Sequence, residues 1–333
     1  MTLLRVPKFY PEFRCVGSAC SDNCCIGWEI NIDPKTLAFY KSVQGPLGER
    51  LSHCIRHSQF VLAPGDRCPF LNEHNLCDIY TELGKSHLSE ICMEHPRFVE
   101  ACGDLVERGI SLCCEEGARL LFKDEAPLEF VTFDSMEPPE PLSEEESNYL
   151  EFVLNFRERA FAVLRAREVP FAPRVQHLLL MTAEECKIPL ERPTISVAEL
   201  RTKWLDLLSA SESINSEWDA ALLKMRKGTF QSPKVPDFEY EHWVVYLLFR
   251  YSLKAVYEGA LVTKVQFAVF CFWVLRELDA ALWEGHEWTL ADRIASAKLL
   301  SKQLEYSENN LELLEEAFEN DMDFGLGAMG MMV

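Results

Sequence analysis

The sequence predicts a mainly α protein in which an irregular cysteine-cluster region precedes a helical domain. Three observations carry that expectation. Eleven of the thirteen cysteines fall within the first 114 residues. Apolar residues recur at three- and four-residue spacing from Ser143 to the end, as amphipathic helices require. Strand patterns are scarce, Trp28 to Ile32 being the best short candidate.

Taken in order, residues 1–125 are expected to form the cysteine-rich metal region, with brief helices at Pro34–Val43 and Glu115–Phe122. Residues 126–142 include Pro-Pro-Glu-Pro, which cannot continue a helix, and read as a linker. Residues 143–333 read as the helical domain. Ser143 with Glu146 has the spacing of a capping box and starts a helix running to about Arg167, with Leu150, Val153, Leu154, Phe161 and Leu164 on one stripe. Further helices are predicted at 174–186, 197–209, 215–227, 238–257, 262–283, 289–304 and 308–320, with Thr289 and Asp292 as a second N-cap. The final FGLGAMGMMV reads as a frayed or docking tail.

Composition narrows the function. With 333 residues, 48% of them apolar, the chain can bury one or two cores. A formal net charge of −20 argues against nucleic acid as a partner, because phosphates need Lys and Arg. The same charge suits solvated helix faces or a basic protein partner. The start, MTLLRVPKFYPEF, lacks the basic and apolar blocks of a signal peptide. The most apolar run, Val265–Leu275, is too short to span a bilayer and is closed by Arg276 and Glu277. A cytoplasmic protein without a membrane partner is the expectation.

In that compartment thiols stay reduced, so dense cysteines point to metal binding or catalysis before disulfides. They form three groups: Cys15, Cys20, Cys24 and Cys25 in FRCVGSACSDNCCIGW; Cys68 and Cys77 in CPFLNEHNLC, followed by Cys92 in SEICMEHPRF; and Cys113 and Cys114 in SLCCEEGARLLF. Thiolates are soft ligands that suit zinc and iron–sulfur clusters alike. Cys68, Cys77 and Cys92 are expected to converge with at least one of Cys20, Cys24 or Cys25, and these six are the candidate ligands. Neighbours such as Cys24 and Cys25 rarely grip one ion together, because their side chains diverge. The paired C-x-x-C knuckles of a zinc ribbon are missing, and Cys25 directly after Cys24 breaks the C-x-x-x-C-x-x-C spacing of radical enzymes. Spacing alone leaves iron and zinc open. Cys186 and Cys271 sit in apolar helical surroundings and read as small buried hydrophobes.

Other residues carry weaker signals. Gly27 permits close backbone approach, and Trp28 beside it could shield a site from water. His95 and Arg97 flank Cys92 closely enough to tune a metal. Trp28, Tyr40, Tyr80, Trp243 and Tyr246 could hold a sulfonium by cation–π contact, although core packing explains each more simply.

The segments CCIGWEINID, CPFLNEHNLCDIYTELGKSHLSEICMEHPRF and ISLCCEEGARLLF resemble the flagellin lysine-N-methylase family, usually called FliB. The middle segment is also similar to small cysteine-cluster proteins described as zinc- or iron-chelating. The resemblance covers roughly residues 10–122; in the helical remainder only the general character matches. Cys15, Cys20, Cys24, Cys25, Cys68, Cys77, Cys92 and Cys114 fall on shared motif positions, whereas Cys54, Cys102 and Cys113 lie off them. The resemblance implies a 4Fe-4S iron–sulfur cluster, with zinc as the alternative, and methylation of flagellin lysines from S-adenosylmethionine. No glycine-rich nucleotide motif announces a cofactor pocket, so one is expected at the junction of the two regions. The competing expectation is a non-enzymatic metal- or cluster-binding protein, a carrier or assembly factor. A redox sensor ranks last, because adjacent cysteines strain a disulfide.

Overall fold

A computed structural model describes residues 2–21, 23, 25–27, 30–228 and 231–333. The protein is mainly α, with a four-stranded sheet and a separate two-stranded hairpin. It divides into two compact units. The first comprises residues 1–12, 99–113 and 117–333, and the second comprises residues 13–98 with 114–116.

The first unit is built on strand β1, Thr2–Pro7. β1 lies parallel to β5, Leu105–Ile110, with Leu4 opposite Val106, and antiparallel to β6, Phe130–Ser135, with Leu4 opposite Phe133. β4, Arg97–Cys102, flanks β5 on its other side. Gly103 and Asp104 alone connect β4 to β5, and Gly103 takes φ +63°. A parallel pair cannot be closed by a tight turn and needs a long crossover. Between β1 and β5 that crossover carries nearly all of the second unit.

The division therefore differs from the linear one read from the sequence. The first twelve residues and residues 99–113 belong with the helices, and the 126–142 segment contains strand β6 rather than only a linker. The sheet pairs strands a hundred residues apart, which local periodicity cannot reveal. The expected strand at Trp28–Ile32 lies partly outside the described residues, since Trp28 and Glu29 are not among them; Asn31 makes only an isolated bridge to Gln59.

The helices of this unit follow the sequence closely: α6 Glu144–Leu164, α7 Phe171–Glu185, α8 Val197–Ala210 and α9 Ser216–Lys227. They continue through α10 Asp237–Tyr251, α11 Ala255–Glu258, α12 Leu261–Leu282, α13 Leu290–Glu305, α14 Glu308–Asn320 and α15 Leu326–Met332. Both expected caps form: Ser143 with Glu146, and Thr289 with Asp292, are complete capping boxes. The helix expected over 238–257 is broken at Ser252, whose hydroxyl bonds back to the Leu248 carbonyl and bends the chain into a short 3-10 turn. The tail is helical and docked rather than frayed. Leu326, Ala328 and Met329 are buried, and a Cβ on Gly327 would meet the Glu191 carbonyl oxygen at 1.8 Å, so only glycine fits.

Helix α12 is buried along most of its length and packs against α7, α9, α10, α13, α14 and α15. Trp204 of α8 meets its Trp273 edge-on, with centroids 4.9 Å apart. Among the described residues no helix is long and apolar enough to cross a membrane. Charges inside this core are paired. The fully buried Arg293 donates through Nε to Glu239 Oε2 at 2.8 Å and through Nη2 to Asp279 Oδ2 at 2.8 Å. Asp279 Oδ2 also accepts from the Tyr240 hydroxyl at 2.9 Å, and Trp288 Nε1 donates to Glu239 at 3.0 Å.

The second unit has short helices: α1 Pro34–Tyr40, α2 Gly45–Cys54, α3 Asp78–Leu83 and α4 Glu90–Glu94, with α5 Glu115–Phe122 beginning at its last segment. The hairpin pairs β2, Ile55–Arg56, with β3, Gln59–Phe60. Its two turn residues, His57 and Ser58, both have positive φ, as a tight hairpin of this hand demands.

Breaking a buried pair leaves a charge stranded at a cost of about 3–5 kcal/mol. Arg293→Met should therefore lower the unfolding free energy by about that much. Urea denaturation checks this, and a variant as stable as the parent would show that the network does not hold α10, α12 and α13 together.

Candidate metal centre

The core of the second unit is formed by Ile30, Ile32, Tyr40, Leu47, Leu51, Phe60, Cys68, Phe70, Leu71 and Ile79. Cys25, Cys54, Cys77 and Cys92 are partly buried against that same cluster. Four of the six candidate ligands, Cys25, Cys68, Cys77 and Cys92, are thus gathered around one apolar core.

Each is placed by a local device. The chain at Cys25–Gly27 runs antiparallel to Asp66–Cys68: the Cys68 amide donates to the Cys25 carbonyl at 2.9 Å, and the Gly27 amide donates to the Asp66 carbonyl at 3.0 Å. Gly27 has φ +91° with nothing near where a Cβ would sit. It is required for its backbone angle, not for close approach. Cys77 is the N-cap residue of α3, and its carbonyl accepts from the Thr81 amide at 2.9 Å. The loop leading to it is held by Asn72, whose Oδ1 accepts from the His74 and Leu76 amides, both at 3.0 Å. Arg50 clamps the other side, bonding Asp78 Oδ2 at 2.8 Å and the Pro69 carbonyl at 3.0 Å. Cys92 sits in α4, three residues after the N-cap residue Ser89.

One carboxylate ties α1 to α4. Asp33 Oδ1 accepts from the Thr36 amide at 2.9 Å, capping α1, and Oδ2 accepts from the Glu90 amide at 3.1 Å, capping α4. Burial works against ionisation of Asp33, but the two amide donors outweigh it and hold the carboxyl below its ordinary value.

Electrostatics link the thiols. Burial pushes the Cys68 thiol up to about 12, and Cys77, Cys92 and Cys54 add to the shift. Burial likewise pushes the Tyr40 phenol well above its ordinary value, with Cys92 and Cys77 next among the causes. The backbone amide of Ser89 works the other way on the Tyr40 phenol, and the Ser89 hydroxyl, also buried, has no hydrogen-bond partner among the described residues.

Of the two remaining candidates the structure describes Cys20. Cys20 approaches Glu115, its Sγ 3.7 Å from Oε2, while the Ser21 amide donates to the same oxygen at 2.9 Å. Cys24 and Trp28 lie outside the described residues. Among the described residues, no three His, Cys, Asp or Glu side chains stand close enough to grip one metal ion. Cys54, off the family pattern, joins the core because it ends α2. Arg97 stacks on Phe13 at 5.1 Å and His95 caps α4 with its amide. Tyr80 is half exposed, and Trp243 and Tyr246 are buried in α10. Cys271 is buried, as its surroundings suggest, and Cys186 is partly buried at the end of α7.

Residues 155–332 match the family described as FliB lysine N-methylase C-terminal domain. The chain belongs to the FliB lysine N-methylase family. The match falls on the helical unit, where the sequence offered only apolar periodicity, and not on the cysteine motifs that suggested this FliB membership. Among its relatives is the flagellar biosynthetic protein FliU of Salmonella muenchen, 30% identical over 132 residues, which are 35% of this chain and 76% of that protein. The lysine-N-methylases of Salmonella typhimurium and Salmonella choleraesuis are each 31% identical over 128 residues, 35% of this chain. The chain spans about a third of the length of those two FliB-related enzymes, 32% in each case. No solved structure matches it.

Asp33→Ala should free both helix N-termini and lower the stability of the second unit by about 0.5–2 kcal/mol at neutral pH. Because the carboxyl is depressed in the fold, its contribution is complete above its ordinary value of 3.8 and is lost as pH falls through the lower folded value. Hydrogen exchange of the Glu90 amide should therefore differ between parent and variant at pH 7 and converge once the pH falls below the folded value of that carboxyl; equal protection at pH 7 would refute the double cap.

Proposed function

We propose that the chain is a flagellin lysine N-methyltransferase that draws its methyl group from S-adenosylmethionine and carries a thiolate-bound metal centre. The observation that carries the methylase reading is the match of residues 155–332 to the FliB C-terminal domain. Flagellin as substrate is supported by the relative named as a flagellar biosynthetic protein.

The chemistry sets requirements. S-adenosylmethionine supplies the methyl group as an electrophile. Transfer forms a bond between lysine Nζ and the methyl carbon and breaks the carbon–sulfur bond, whose electron pair stays on sulfur. The attacking amine must be neutral, so Nζ gives up a proton to a base or to solvent. A net charge of −20 favours approach of a lysine-bearing partner and predicts looser association at high salt.

For the metal, we propose a 4Fe-4S cluster, with zinc as the alternative, held by thiols from Cys20, Cys24, Cys25, Cys68, Cys77 and Cys92. The reading rests on donor type: the soft sulfurs of Cys25, Cys68, Cys77 and Cys92 border one apolar core, while among the described residues no three donors close on one point. The role we propose is structural. The longest helix of the second unit has only 10 residues, so its loops gain from an internal tie.

Two outcomes test this. Cys77→Ser should lower metal content in anaerobically prepared protein and loosen the second unit, read by metal analysis and limited proteolysis. Unchanged metal content would remove Cys77 from the ligand set. Incubation with flagellin and labelled S-adenosylmethionine should place label on flagellin lysines. Failure to bind S-adenosylmethionine by calorimetry, with the metal in place, would favour a non-enzymatic metal protein.

A further inference from the structure

Strand β6 forms one edge of the four-stranded sheet, where β1 is its one neighbour among the described residues. The ladder between them fixes which way its backbone points. The Lys8 amide donates to the Glu129 carbonyl at 2.8 Å, and antiparallel pairs alternate between bonded and non-bonded. Val131, Phe133 and Ser135 therefore bond to β1, and the N–H and C=O groups of Phe130, Thr132 and Asp134 point outward. The far side of β1 agrees: the Leu3 amide, opposite Asp134, donates away from β6 to the Asp104 carbonyl at 2.7 Å. Among the described residues no hydrogen-bond partner meets the outward backbone groups.

This edge is firm and unguarded. The Phe130 ring stacks on Phe161 at 5.2 Å and on Phe249 at 4.3 Å, which anchors the strand. Thr132 and Asp134 are exposed, and Phe133 is 49% exposed on the opposite face. Sheet edges are ordinarily blunted by lysine, proline or a bulge. β6 carries none of these; Pro127 and Pro138 stand outside it, and its register with β1 is unbroken. The charge around it has one sign. From Asp124 to Glu146 there are nine carboxylates and no lysine or arginine. Lys8, Arg108 and Lys123 offset Glu129, Glu137 and Asp124, whereas Asp134 has no ion pair among the described residues. Arg5 and Arg165 stand over the Phe130 ring but are engaged there by Glu158 and the Leu128 carbonyl.

We infer that the open edge of β6 is a docking strand for an extended, lysine-bearing segment of the protein substrate, which adds itself to the sheet. The identity of that substrate rests on the methylase reading above. Main-chain bonds to Phe130, Thr132 and Asp134 supply affinity for an extended chain, and the carboxylates select a basic one. Opposite charges facing each other across a strand pair attract and like charges repel. A second copy of this chain would bring one acidic β6 against another, so self-pairing is disfavoured. Because the bonds go to main chain, different lysine-bearing segments can use the same edge.

The probe is a short fluorescent peptide alternating lysine with threonine, whose binding to the full chain is read by anisotropy. It should bind, and more weakly as salt rises. The same peptide with alternate backbone nitrogens methylated keeps its charge but cannot join a ladder, and it should not bind. Thr132→Pro removes an outward N–H, leaves the bonds to β1 intact and should weaken binding about 10-fold. Asp134→Lys should weaken it about 2- to 5-fold. Thermal melts check that both variants fold; if Thr132→Pro does not, Asp134→Lys and the methylated peptide decide the matter. With flagellin and labelled S-adenosylmethionine, the variants should raise KM and leave kcat unchanged. A parent that binds neither peptide or both alike, or variants that bind as the parent does, would overturn the docking strand whatever the methylation assay gives. Edge-dependent binding without methyl transfer would uphold the docking strand and overturn the methylase reading. Dimerisation of the parent that Thr132→Pro abolishes would give the edge to a second copy and reject the proposal.

Discussion

The parallel pairing of β1 with β5 is the constraint on which the architecture depends. Leu3, Leu4 and Arg5 sit opposite Leu105, Val106 and Glu107, so the chain must leave the sheet after Pro7 and return a hundred residues later in the same direction. The second unit occupies that excursion. β6 then closes the other edge of β1 over the full run from Thr2 to Pro7. The register is reinforced from the helices: Glu107 on β5 is buried against Arg157 of α6, whose Nη1 donates to it at 2.8 Å. The cysteine-rich region is thus an insertion whose two ends return to one short strand pair.

How much of this was legible depended on the range of the interactions involved. The starts of α6 and α13 were readable because a capping box is complete within four residues, Ser143 to Glu146 and Thr289 to Asp292. The sheet was not. β1 reads as an unremarkable TLLRVP, and β6 lies in a stretch dominated by prolines; only pairing between distant segments gives either its structure. The break after Tyr251 was hidden for a different reason, since a serine hydroxyl turning back on its own helix leaves the apolar stripe intact.

The candidate site shows the same division. Cys68, Cys77 and Cys92 could be grouped from the turns around them, and the fold sets them on one core with Cys25. Cys54 could not, because nothing near it in sequence marks a ligand; it arrives by the packing of α2. Cys20 carries a family position yet stands beside Glu115. Asp33 was invisible as a double cap, because its second acceptor contact, to Glu90, crosses 57 residues. FliB membership rests on the helices rather than on the cysteines: the family match falls on residues 155–332, and the gathered thiols lie in the other unit.

Helix α12 carries a consequence for how the protein is made. Its run VQFAVFCFWVL has no polar face to show to water, and its covers include α13, α14 and α15, all of which follow it in the chain. During synthesis this segment leaves the ribosome before those three helices exist. For that interval it is a long oily stretch with nowhere to bury itself on three of its flanks, and it must be shielded by transient contacts or by chaperones that recognise extended apolar chain. Slowing translation just after Leu282 would lengthen the exposure, so yield in the cell should be set by the speed at which the last fifty residues emerge rather than by the final stability of the fold.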